Sequence, residues 1–177
     1  MRALVVYESM FGNTRAAAES IALALEQSAI DVSITTASTA PDTTDCFDLL
    51  LVGAPTHAHG LPRVTSRFEA DRWAADPAKN LTLEQSAILP GVREWLETVR
   101  ISDRTHLLGA FSTRADILRA LSGDAAVAIK RRLTSHSTGP VEMECFLVDK
   151  TNHLIGGELA RARAWGISLA RRAAVAA

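Results

Sequence analysis

The chain has 177 residues, of which 47% are hydrophobic, 22% are charged and only 5% are aromatic. This length and composition indicate a single globular domain with a core of Leu, Val, Ile and Ala, and they argue against intrinsic disorder. The formal net charge of −1 gives no electrostatic reason to expect nucleic acid or an anionic membrane as a partner.

The N-terminal segment and the cysteines exclude further classes of protein. The apolar run Ala3–Tyr7 is interrupted by Glu8 and is too short for a signal peptide or a membrane span, so the sequence predicts a cytoplasmic protein. Cys46 and Cys145 form no C-x-x-C pair, which gives no sign of a redox disulfide or a zinc site, and both are expected to be buried thiols. No metal site is predicted.

Predicted strands and helices alternate along the chain. The predicted strands are Ala3–Tyr7, Asp31–Thr35, Leu49–Val52, Leu107–Phe111 and Val141–Leu147. The predicted helices are about Thr14–Glu26, Val92–Val99, Asp124–Leu133 and Glu158–Ala173. Their inward faces are predicted from helical spacing: Ala17, Ile21, Ala24 and Leu25 in the first, Ala125, Ala128, Ile129 and Leu133 in the third, and Leu159, Ala162, Trp165 and Leu169 in the last.

This alternation predicts an α/β fold with a doubly wound, five-stranded parallel sheet and helices on both faces. The first, third and fourth strands are apolar throughout, which is typical of central strands covered on both faces. The second and fifth strands alternate between apolar and polar residues, which is typical of edge strands. The strand order 2-1-3-4-5 satisfies both conditions.

Two connections depart from regular alternation. The polar stretch Thr36 to Asp45, which contains Pro41, replaces a crossover helix. Residues 62–90 are long for a connection, and we interpret them as a lid-like insertion after the third strand within one domain spanning residues 1–177. The alternative is a surface excursion that Phe68 and Trp73 pin to the domain. His106, His136 and His153 have no motif around them and are expected at the surface.

The loop after the first strand has the composition of an anion site. It reads Ser9-Met10-Phe11-Gly12-Asn13-Thr14 and leads into a helix, whose first turn presents unpaired N–H groups and the positive end of the helix dipole. Ser9 and Thr14 offer hydroxyl groups, and Gly12 allows the backbone to turn sharply. Neither a G-K-S/T P-loop nor a G-x-G-x-x-G fingerprint is present. Helix capping alone would also explain these residue types.

Two further loops fall at the same predicted edge of the sheet. The third strand ends in Pro55-Thr56-His57-Ala58-His59-Gly60, and the fourth ends in Ser112-Thr113-Arg114. Ligands of open α/β sheets bind at the carboxyl ends of the strands, next to the point where the strand order reverses.

These loops resemble those of the flavodoxin family, and the resemblance to that family extends over nearly the whole chain. Ser9–Thr14 is similar to the flavodoxin phosphate loop, with Phe11 in place of its middle hydroxyl residue. The second loop carries His57 and His59 where flavodoxins often have Trp, and the third loop lacks their Tyr. The nearest variety resembles actinobacterial flavodoxin-like proteins. The order 2-1-3-4-5 is also the known order of this fold, which makes it a consistency check.

The resemblance implies that the cofactor is FMN. It implies a cofactor site formed by Ser9, Met10, Phe11, Gly12, Asn13, Thr14, Pro55, Thr56, His57, Ala58, His59, Gly60, Ser112, Thr113 and Arg114. Arg114 is a candidate for raising the reduction potential of the flavin, and the alternative is that it is solvated or pairs with Asp116. His57 and His59 are candidates for covering the ring edge or for making reduction pH-dependent, and the alternative is that they have no redox role.

Three functions follow from the resemblance. The first is electron transfer through bound FMN, with a redox protein or a small-molecule electron acceptor as partner. The second is an FMN-dependent NAD(P)H:quinone-type oxidoreductase in which residues 62–90 shape a substrate pocket. The third is a non-redox module that has lost the flavin. No nucleic acid or membrane insertion is expected, and the nearly neutral chain lacks the acidic balance with which flavodoxins dock basic partners.

Overall fold

A computed structural model describes residues 1–135 and 140–176, so the surface position expected for His136 falls outside the described residues. The strands are β1 (Arg2–Tyr7), β2 (Asp31–Thr36), β3 (Leu49–Pro55), β4 (Leu107–Ala115) and β5 (Val141–Val148). The helices are α1 (Asn13–Glu26), α2 (Val64–Ala75), α3 (Val92–Thr98), α4 (Arg119–Ser122), α5 (Ala125–Thr134) and α6 (Glu158–Ala176), and a 3₁₀ turn covers Pro77–Lys79.

The five strands form one parallel sheet in the order β2-β1-β3-β4-β5, as the sequence predicts. The central strand β3 is buried along nearly its whole length, whereas β2 has no buried residue. A central parallel strand is covered by helices on both faces and must therefore be apolar throughout. The burial of each strand thus follows from its place in the sheet.

Alternate residues of β1 enter two separate cores because successive side chains of a strand point to opposite faces. Ala3 and Val5 pack in the core beneath α1 and α6. Leu4 and Val6 pack in the core beneath α3 and α5. None of the described helices is apolar over a stretch long enough to cross a membrane.

The predicted helix faces are largely confirmed, with one error in α6. The predicted inward residues of α1 are all buried, and Asp124 caps α5 by accepting a hydrogen bond from the N–H of Ala126. The prediction that Leu159 belongs to the buried stripe of α6 is wrong, since Leu159 is 45% exposed. Glu158 is buried instead and accepts a hydrogen bond from the N–H of Leu147, so a polar contact with β5 sets the start of α6.

The segment between β2 and β3 contains no helix, as predicted. The segment after β3 contains a helix that the sequence analysis does not predict, since residues 64–75 form α2. Phe68 and Trp73 do not pin this segment, since they are 57% and 44% exposed. The expectation that both thiols are buried is wrong for Cys46, which is exposed, and Cys145 is half-buried.

Candidate cofactor site

The loop between β1 and α1 has the geometry of an anion site. Gly12 takes a φ of 90°, in the left-handed region that glycine adopts without a steric penalty, and it precedes the first residue of α1. Its N–H donates to the Oγ of Ser9 over 3.1 Å, which leaves the Ser9 hydroxyl hydrogen free to donate elsewhere. Both Ser9 and Thr14 are buried. The first-turn N–H groups of α1 have no acceptor within the helix, so they are available to an anion.

Thr113 joins all three loops at the carboxyl edge of the sheet. Its hydroxyl lies 2.8 Å from the hydroxyl of Thr14, and both side chains are buried. Its carbonyl oxygen accepts a hydrogen bond of 2.8 Å from the N–H of Thr56. Thr113, at the end of β4, thus connects the third loop both to the first loop and to the second.

The second loop makes a tight turn in a strained conformation. His57 and Gly60 pair through two backbone hydrogen bonds of 2.9 and 3.0 Å. The residues between them, Ala58 and His59, have φ values of 43° and 73°, which non-glycine residues adopt only when the surroundings impose them. The backbone of Gly123 lies directly against this turn, and only glycine permits the approach, because a Cβ there would lie 2.2 Å from the Cα of His59.

The third loop is organised by Arg114 and Ser112. Nη1 of Arg114 donates to the carbonyl oxygens of Ala115 and Ile117, so the guanidinium folds the chain after β4 over itself. Its Nε is buried without a hydrogen-bond partner, and within residues 1–135 and 140–176 the guanidinium donates to these carbonyl oxygens and to the hydroxyl of Ser122, not to Asp116. The Oγ of Ser112 donates to Asp124 over 2.6 Å.

The three loops line one cavity of about 480 Å³, within the roughly 300–1,000 Å³ typical of small-molecule and cofactor sites. Most of the predicted site residues lie on its wall: Ser9, Met10, Phe11, Asn13, Thr14, Pro55, Thr56, His57, Ala58, Thr113 and Arg114. The other predicted residues, which are Gly12, His59, Gly60 and Ser112, do not line the cavity. They shape the turns that hold the lining residues in place.

Two parts of the wall were missed from the sequence. One is a face of α2, formed by Ser66, Glu69, Ala70 and Trp73. The other lies at the carboxyl ends of β4 and β5 and in the residues after β5, and it consists of Ala115, Val148, Asp149, Lys150 and Asn152. The spacing i, i+3, i+4, i+7 of the α2 residues marks one helix face and was a usable signal. The residues after β5 carry no motif. Their place in the wall depends on a contact between distant residues, since the side chain of Asn13 donates to the carbonyl oxygen of Asn152 over 2.7 Å.

Residues 5–92 match the family model described as Flavodoxin. This stretch contains the anion-site loop, the second loop and α2. By this match, which spans about half of its length, the chain belongs to the flavodoxin family. No curated protein matches the sequence significantly.

Solved flavodoxin structures share the fold over the full chain. A flavodoxin from the domain Archaea is 17% identical, with a TM-score of 0.64 and coverage of 98% of this chain and 99% of that one. Oxidised flavodoxin 1 from Bacillus cereus is 13% identical, with a TM-score of 0.65 and coverage of 97% and 98%. The Flv1 flavodiiron core from Synechocystis is 15% identical with a TM-score of 0.64, and the match covers all of this chain and 37% of that chain.

A buried ion-pair cluster attaches α2 to the residue before the anion-site loop of this flavodoxin-family chain. Arg67 is 2% exposed and donates through Nε to Glu8, which directly precedes the loop, over 2.7 Å. Its two terminal nitrogens donate to Glu94 of α3 over 3.2 and 2.7 Å. The second oxygen of Glu8 accepts from the N–H of Val92. Burial raises the pKa of the Glu8 carboxyl, against the opposing effect of the Arg67 hydrogen bonds.

His57 is held neutral at the cavity wall. Burial, together with the positive charge of Arg67, lowers the pKa of His57 from 6.5 to about 4. The imidazole is therefore uncharged at neutral pH. Among the described residues, no group of three His, Cys, Asp or Glu side chains is placed to hold a metal ion.

Arg67→Met should destabilise the fold by about 3–5 kcal/mol, because it leaves the buried Glu8 carboxylate without its counter-charge. Arg72→Met is the matched control, since Arg72 lies on the same helix in an exposed ion pair with Glu69. Urea unfolding followed by circular dichroism compares the two variants. Equal losses would mean that the buried cluster is not what anchors α2.

His57 should make the stability of the fold depend on pH. The folded chain keeps His57 unprotonated down to about pH 4, whereas the unfolded chain takes up a proton near pH 6.5, so stability falls as the pH drops through this window. Relative to His57→Gln, wild-type protein should lose about 2 kcal/mol between pH 7 and pH 4.5. Urea midpoints across this range test the prediction, and parallel pH profiles for the two proteins would contradict it.

Proposed function

We propose that this chain binds FMN in the cavity at the carboxyl edge of the sheet and acts as an electron-transfer protein. The observation that carries the proposal is that three loops, each singled out for its sequence, line the same cavity. The family of the chain and the flavodoxins among its structural neighbours support it. When bound, the flavin supplies the redox chemistry, and the protein holds and tunes it.

The residues present fit such a cofactor along the cavity wall. Ser9, Asn13 and Thr14 surround the start of α1, where free N–H groups and the helix dipole favour a phosphate. Arg114 also lines the cavity, and its guanidinium would place a positive charge on the wall.

A second candidate function is an FMN-dependent NAD(P)H:quinone-type oxidoreductase. The observation that favours it is the helix α2, because one of its faces lines the cavity and could shape a pocket for a small substrate. The two functions differ in one measurement. A reductase oxidises NAD(P)H in the presence of a quinone without a protein partner, whereas an electron carrier does so only when a separate reductase is added.

Thr14→Val should weaken FMN binding about ten-fold, because it removes a hydroxyl at the phosphate site and breaks the contact with Thr113. Thr105→Val is the matched control, since Thr105 and Thr44 form a second buried hydroxyl pair, 2.7 Å apart, outside the cavity. Titration of the flavin absorbance and fluorescence measures both variants. Absence of saturable FMN binding to wild-type protein would refute the proposed function and favour a non-redox module.

Arg114→Ala should lower the reduction potential of the bound flavin by roughly 60 mV, equivalent to about 1.4 kcal/mol for one electron. The reason is the loss of a positive charge from the cavity wall. Spectroelectrochemical titration measures the potential. Arg104→Ala, which removes an exposed arginine paired with Asp48 just before β4, serves as the control. An unchanged potential in Arg114→Ala would remove Arg114 from the tuning of the flavin.

A further inference from the structure

The cavity wall contributed by α2 comes from outside the three loops. Ser66, Glu69, Ala70 and Trp73 lie one to two turns apart on the same face of the helix. Trp73 is the largest side chain among them. It lines the cavity while 44% of its surface stays exposed, although indole rings are usually well covered in folded proteins. Its exposed surface is therefore available to a ligand.

The indole of Trp73 is held in place before any ligand arrives. Its N–H donates to Glu69 one turn earlier over 3.1 Å, so the polar atom of the ring is already satisfied. The ammonium of Lys79 lies 4.9 Å from the ring centroid, which adds a cation–π contact. A side chain fixed in this way loses little conformational entropy when it binds.

The helix that carries Trp73 is fixed to the phosphate loop. Ala70 packs in a small core with Met10 and Ala87, and Met10 belongs to the loop itself. Arg67 ties the same helix to Glu8 at the start of the loop. The phosphate site and the indole are therefore held at a constant separation by buried contacts.

The second and third loops offer little aromatic surface of their own. Their lining residues include the neutral imidazole of His57, but no Phe, Tyr or Trp. Phe11 of the first loop is half-buried and packs against the core that holds Ala70. A planar ring bound beyond the phosphate site thus meets its main aromatic partner on α2.

We propose that Trp73 is the aromatic wall against which the ring system of the bound flavin packs, supplied by the inserted helix α2 in place of a loop residue. This inference rests on the proposed function. It assigns separate roles to two parts of the cavity: the loop Ser9–Thr14 recognises the phosphate, and Trp73 recognises the ring. Aromatic packing of this kind adds to the affinity for any ligand with the same ring.

The test compares two ligands that differ only in the phosphate, FMN and riboflavin. Trp73→Ala should weaken the binding of both by about ten-fold, because both carry the ring. Trp73→Phe should restore most of the affinity. Thr14→Val should weaken FMN but leave riboflavin unchanged. Dissociation constants come from flavin fluorescence titrations, and the visible absorbance of bound flavin reports ring contact independently of activity.

Phe68→Ala is the matched control, since Phe68 is an exposed aromatic residue of the same helix that does not line the cavity. Circular dichroism and urea unfolding establish that each variant is folded. If Trp73→Ala binds both ligands and perturbs the flavin spectrum as Phe68→Ala does, the inference about Trp73 is overturned while FMN binding stands. If wild-type protein binds neither ligand, the proposed function and this inference both fail.

Discussion

The buried guanidinium of Arg67, held between Glu8 and Glu94, is the contact on which the wall of the cavity depends. It connects Glu8, which directly precedes the loop Ser9–Thr14, with α2 and α3, two helices that are separated from it along the chain. A charge this deeply buried is tolerated only when its hydrogen bonds are satisfied, so the three elements must meet in one arrangement. Burial, together with the same charge, lowers the pKa of His57 and so keeps its imidazole neutral at the cavity wall.

Thr113 performs a related task on the other side of the cavity. Its hydroxyl and carbonyl groups contact the first and second loops. Gly123 lies against the second loop just before α5, and Ser112 of the third loop donates to Asp124 at the start of α5. The strained turn at Ala58 and His59 persists because these contacts fix it on both sides. The loops are therefore held by strands and helices, which is what precise placement of a cofactor requires.

Helix α2 gives the cavity a helical wall. Because α2 packs on the loop Ser9–Thr14 through Ala70 and Met10, it is part of the cavity. A helix presents side chains at fixed spacing, so one face can supply several wall residues together. If the proposed flavin site is correct, ring contact is moved from a loop to this helix.

The fold, the strand order and most of the cavity wall could be predicted from the sequence, because they depend on local patterns: continuous apolar strands, helical periodicity and loops whose composition suits a phosphate or a tight turn. Contacts between distant residues emerge only in the folded chain. The pairing of Arg67 with Glu8 and the contact of Thr113 with Thr14 each join residues more than 50 positions apart, and no local pattern records them. The position of Trp73 follows from the packing of its helix on Met10. The same holds at the start of α6, where Glu158 is buried through a hydrogen bond from the N–H of Leu147 while Leu159 is exposed, a tertiary contact that helical periodicity does not record.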